Sequence, residues 1–159
     1  IMSTSGCRSL PGADRKVGLH MMRRPTTGGA EALQDYTVRT FRLIGSPAYQ
    51  PSEEALREKI AASYQRSYYP NGYRRHLAAI MASGDRVAVL QQINAPTLVI
   101  HGSDDPLVPV AGGIDTARHI RGARLELIEG MGHDLPQPLL ARFVELIANH
   151  ADSAPTSHT

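Results

Sequence analysis

Cysteine is almost absent: Cys7 stands alone among 159 residues, which excludes an internal disulfide and a multi-cysteine metal site. That usage is compatible with a reducing cytoplasm, the expected location. No run of 18 apolar residues and no basic-then-apolar stretch is visible, so neither a transmembrane helix nor a signal peptide is expected within these residues. Neither sign of charge dominates. Lys and Arg number 17 against 15 Asp and Glu, a formal charge of +2. The basic residues are scattered, so neither a nucleic-acid nor a membrane partner is expected. The seven histidines show no metal-ligand spacing such as H-E-x-x-H, and no metal or other cofactor is implied. No internal repeat is present.

The chain is organised around 95–133, APTLVIHGSDDPLVPVAGGIDTARHIRGARLELIEGMGH. Thr97 to Ile100 is a continuous apolar, β-rich run that fits a strand buried on both faces. His101-Gly102-Ser103-Asp104-Asp105-Pro106 follows as a polar turn. A helix over about 110–120 leads to a second strand over Arg124 to Ile128. Then Gly130-Met131-Gly132-His133 places an imidazole on a loop that its glycines allow to bend sharply. Strand, crossover helix and strand predict a parallel pair with both carboxyl ends on one edge. Asp105 and His133 become neighbours there, an acid and a base of the kind that activates a nucleophile. Asp104 is the lesser alternative for the acid.

These residues resemble a known family. GSDDPLVP fits G-x-x-D-x-x-x-P, with Gly102, Asp105 and Pro109 in register, and GMGHDLP fits a G-x-G-H histidine loop. Both resemble the carboxyl-terminal part of α/β-hydrolase fold enzymes, in particular esterases related to aclacinomycin methylesterase. The resemblance extends from Ile1 to about His150. It implies an α/β fold, the carboxyl-terminal half of an α/β-hydrolase with few parallel strands, flanking helices and a helical cap insertion. It also implies Asp105 as the triad acid and His133 as the base, in the chain order Ser, Asp or Glu, His.

The nucleophile pentapeptide G-x-S-x-G occurs nowhere in the sequence, and a His-Gly type oxyanion-hole loop is absent before the helices. A complete α/β-hydrolase has about eight strands and needs more than about 200 residues; only about three strands are legible here. The expectation is therefore the cap and acid–histidine half of a serine esterase, acting on a small-molecule carboxylic ester and inactive alone. Its partner would be the upstream half of the same protein or a complementing chain. The alternative is a non-catalytic small-molecule-binding relic, or one chain of a two-chain hydrolase.

The expected organisation is the end of a core strand and its exit turn over 1–7, a helical cap over 8–93, the carboxyl-terminal part of the core over 94–150 and a disordered tail over 151–159. Cap helices are expected from Asp14 to Met22, through Leu33, Tyr36, Thr37, Thr40, Phe41 and Ile44, from an N-cap at Ser52, and over about 72–82, burying Leu77, Ile80 and Met81. A short helix through Val87 and Leu90 follows Asp85. The last helix, from Pro138 to about Ala148, is expected to lay Leu139, Leu140, Phe143, Val144 and Ile147 on the sheet. Phe41, Tyr64, Tyr68 and Met81 are candidates for lining a substrate pocket, although such residues at helical spacing more often pack than bind. Arg74-Arg75-His76 reads as a solvated face, His101 as a structural partner near the turn, and Cys7 as inert.

Overall fold

A computed structural model describes residues 4–7, 9–69 and 71–153. The expected strand end at Ile1–Ser3 and the tail from 154 lie outside the described residues. The first half is helical. Asp14 accepts from the Lys16 N–H and caps α1, Arg15–Met22. α2, Gly29–Ile44, runs until Gly45. Ser52 accepts from the Ala55 N–H and starts α3, Glu53–Arg66, with Glu53 and Glu54 in its first turn, where the helix dipole favours them. α4, Asn71–Ser83, and the single turn α5, Val87–Leu90, complete this half.

The second half is the expected strand, helix and strand. β1, Leu98–Gly102, and β2, Arg124–Ile128, pair in parallel from Leu98 opposite Arg124 to Gly102 opposite Ile128. α6, Val110–His119, makes the crossover. It lies close on β1 because it presents glycine there: a Cβ at Gly113 would stand 2.6 Å from the His101 ring. α7, Leu140–Ser153, closes the chain and continues three residues into the expected tail.

Two apolar clusters hold these elements. Ile128, Met131, Leu139 and Phe143 pack under Ile100 and Tyr49, joining β2, the loop after it and α7. Val38, Leu56 and Ile60 join α2 to α3, flanked by Phe41 and Tyr64. α2 also packs on α1, where the buried Tyr36 stacks on His20, and Val17 and Leu33 are buried as well. It is a central helix with two apolar faces, and a single-face reading leaves out Val38.

Three expectations are corrected. Leu77, Ile80 and Met81 of α4 are exposed, Met81 by 77%, and α4 buries no residue. Along α7 and the turn before it the buried residues are Leu139, Phe143 and Leu146, while Leu140, Val144 and Ile147 face outward. β1 is not enclosed on both faces either: Val99 and His101 are buried, Leu98 and Ile100 only partly. Periodicity identifies an apolar face; it does not say what covers it. The described residues hold two of the three expected strands; the third, at 1–3, lies outside them.

Candidate active site

The acid sits in the turn between β1 and α6. Pro106 disfavours helical backbone at Asp105 and has no N–H of its own, so the Asp105 side chain turns to the next two amides. Its Oδ1 accepts from the N–H groups of Leu107 (2.9 Å) and Val108 (2.8 Å). Oδ2 accepts from His133 Nδ1 at 2.7 Å. Asp105 is 5% exposed, a buried charge made tolerable by three hydrogen bonds. His101, fully buried, donates from Nε2 to the Val108 carbonyl at 2.8 Å. Asp104 points elsewhere, accepting from Ser103 Oγ and the Gly130 N–H. Of the two aspartates, Asp105 meets the histidine.

The histidine loop is held from both sides. Gly130 has φ +70°, a backbone region that favours glycine, and its missing side chain leaves room for Ala48. The turn after β1 stays paired to this loop through Ser103 N–H to Ile128 O and Asp104 N–H to Met131 O. A Cβ at Gly102 would stand 2.1 Å from Met131 O, which explains glycine at the strand end. From the opposite side the end of α2 grips the loop. His133 N–H donates to Ile44 O at 2.7 Å, Gly132 N–H donates to Ser46 Oγ at 2.9 Å, and Ser46 donates from both N and Oγ to Asp134 Oδ1. With Nδ1–H spent on Asp105, the neutral imidazole of His133 carries its free lone pair on Nε2.

No family model matches the sequence. The rhodomycin D methylesterase DauP of Streptomyces sp. (strain C5) is 28% identical over 141 residues, 88% of this chain and 47% of that protein. The rhodomycin D methylesterase DnrP of Streptomyces peucetius is 25% identical over 134 residues, 84% of this chain and 45% of that protein. Among solved structures, the esterase RhEst1 from Rhodococcus sp. ECU1013 superposes with a TM-score of 0.59 at 17% identity, covering 97% of this chain and 50% of that one. The fold is an α/β-hydrolase fold, in part. The chain spans about half the length of these methylesterase relatives. Within this fold, β1, α6 and β2 bring Asp105 and His133 to one edge.

The four pocket candidates are not gathered around that pair. Phe41 lines a groove of about 1050 Å³ between α2, α3 and the 134–140 segment, together with Tyr49, Leu56 and Leu135. Tyr68 lines a different groove of about 640 Å³, with Met21, Leu33, Tyr73 and Leu77. Tyr64 packs against the α2–α3 cluster and its hydroxyl meets Thr37 Oγ1 at 3.2 Å. Met81 is exposed to solvent. Arg74, Arg75 and His76 form an exposed face of α4. Ser5 is buried and donates to Asp115 Oδ2, so its hydroxyl is committed to a carboxylate. Cys7 Sγ lies 3.2 Å from Ser9 Oγ.

Sequence reasoning missed Ser46 and Asp134, which anchor the histidine loop to α2. Asp134 adjoins His133, but its partner is 88 positions away, and no local pattern announces such a pairing. Among the described residues no group of three or more His, Cys, Asp or Glu is placed to hold a metal, and no helix is long and apolar enough to cross a membrane.

Proposed function

We propose that this chain is the cap and acid–histidine part of a serine hydrolase acting on carboxylic esters, with Asp105 as the acid and His133 as the general base. The observation that carries the reading is the 2.7 Å contact from His133 Nδ1 to the buried Asp105 carboxylate. It fixes the tautomer in which Nε2 accepts a proton. Helices α1 to α5 correspond to the cap, the core begins near 94, and the nucleophile is supplied from outside these 159 residues, by upstream sequence or a complementing chain. The similarity to methylesterases over most of the chain supports an ester as substrate.

In the assembled site, His133 Nε2 takes the proton of the serine as it attacks the ester carbonyl. Asp105 stabilises the imidazolium, and the same proton passes to the leaving alcohol. Water, deprotonated by His133, then attacks the acyl-enzyme; the carboxylic acid leaves and the proton passes from His133 to the departing serine oxygen. Backbone N–H groups of the nucleophile half hold the oxyanion.

The test compares the chain alone with the chain joined to a hydrolase half bearing G-x-S-x-G. Both are assayed on p-nitrophenyl esters and labelled with a fluorophosphonate. The chain alone is expected to show neither turnover nor labelling; the joined protein is expected to show both, and His133→Ala to abolish turnover. Turnover by the isolated chain that disappears in His133→Ala overturns the assignment of the nucleophile. Ester binding without turnover in a folded joined protein favours the non-catalytic binding reading.

A further inference from the structure

We propose that His101 is a positioning residue for the acid, holding the 105–108 turn so that Asp105 Oδ2 meets His133 and thereby setting the tautomer of His133. The inference rests on the acid–base reading for its catalytic meaning, but its geometry stands apart from activity. His101 is completely buried at the end of β1, where an apolar side chain would fill the space without the cost of a buried polar group. Its Nε2 lies 2.8 Å from the Val108 carbonyl. A carbonyl only accepts, so Nε2 carries the proton. Nδ1 is then a bare lone pair, and it has no hydrogen-bond partner. Gly113 lies directly against this side of the ring, where a Cβ would stand 2.6 Å from Cγ and Nδ1. The imidazole is held in one orientation, with its single proton aimed at Val108.

The Val108 residue is thereby gripped at both ends. Its C=O accepts from His101, and its N–H donates to Asp105 Oδ1 at 2.8 Å. Leu107 N–H adds a second bond to the same oxygen. With Oδ1 fixed, rotation of the carboxylate is frozen and Oδ2 faces His133. His101 Nε2 stands 3.7 Å from Oδ2, beyond hydrogen-bond range, against 2.7 Å for His133. His101 therefore does not take the carboxylate from the base. It acts through Val108, leaving Asp105 with one imidazole donor.

The readout is the ¹⁵N shifts of the His133 ring in the intact chain, at a pH where the imidazole is neutral. The wild type is expected to carry the His133 proton on Nδ1. His101→Met, similar in length but without a donor, is expected to lose that form as the main species. His101→Gln, whose amide reaches toward the Val108 carbonyl, is expected to restore it; a merely space-filling role predicts the same spectrum for Met and Gln. A folded His101→Met that keeps the Nδ1 proton overturns the proposal, as does a folded His101→Gln that fails to restore it. If His101→Met does not fold, Gly113→Ala decides, because it displaces the ring while keeping its donor. Loss of the Nδ1 form there supports the proposal, and retention overturns it. Failure of the joined protein to hydrolyse esters bears on the hydrolase reading and leaves the tautomer result standing.

Discussion

Asp104 and Asp105 are adjacent, yet their surroundings divide their roles. Asp105 is buried with one oxygen on His133, while Asp104 is exposed and ties the turn to Gly130. In the joined enzyme, Asp105→Asn keeps the shape but removes the acceptor for Nδ1–H. Turnover is expected to fall by about 10⁴-fold, the scale seen when a triad carboxylate is amidated, whereas Asp104→Asn is expected to stay near wild type. Steady-state kinetics on one ester substrate decide between them. Asp105 was legible because Gly102 and Pro109 frame it locally, and His133 because it follows Gly130-Met131-Gly132 directly after a strand. Ser46 was not legible, since its work is done across 88 positions of chain. Its hydroxyl receives the Gly132 N–H and donates to Asp134. Ser46→Ala leaves both without that partner and is expected to cost about 1–3 kcal/mol, measured by urea unfolding.

At the scale of elements, the helices that read well carry their own signals: Asp14 and Ser52 cap α1 and α3 with side-chain bonds to backbone amides. Their packing is also where pH acts. His20 of α1 stacks on Tyr36 of α2 with ring centroids 4.5 Å apart, and its Nε2 meets Thr40 Oγ1 at 2.8 Å. Burial, and secondarily the Arg39 guanidinium, hold its pKa below the ordinary 6.5. The unfolded chain therefore takes up this proton before the folded one does. The contribution of His20 to stability is present above pH 6.5 and is lost as pH falls from there toward the lowered folded value. The melting temperature of the wild type is expected to drop more over that range than that of His20→Gln, which removes the titrating group and keeps a polar partner for Thr40. Parallel slopes for the two proteins would remove His20 from the account. The α1–α2 contact could not be read from the chain, because stacking depends on how two helices cross. The βαβ unit could, because its connection length and handedness leave few choices.

For the molecule as a whole, the misread helices carry the most information. Leu140, Val144 and Ile147 recur along one side of α7 and remain outside, Val144 by 67%, while Leu139, Phe143 and Leu146 are buried. A helix apolar on two sides is built to lie between two layers, and parallel sheets occur with both faces covered. Here β1 and β2 form a two-stranded sheet among the described residues, which is narrow for a strand as apolar as β1. If the proposed nucleophile half completes that sheet, it also covers this stripe, and a charge placed there acts oppositely in the two forms of the protein. In the isolated chain, Val144→Glu interrupts an exposed apolar strip and is expected to reduce self-association, read by sedimentation velocity. In the joined hydrolase the same glutamate is buried without a partner and is expected to cost at least about 3 kcal/mol of stability. Ester turnover should fall with the folded fraction, leaving the turnover of each folded molecule unchanged. A joined protein that tolerates the glutamate with its unfolding midpoint unmoved would make the stripe a solvent face, and another surface would then have to receive the nucleophile half.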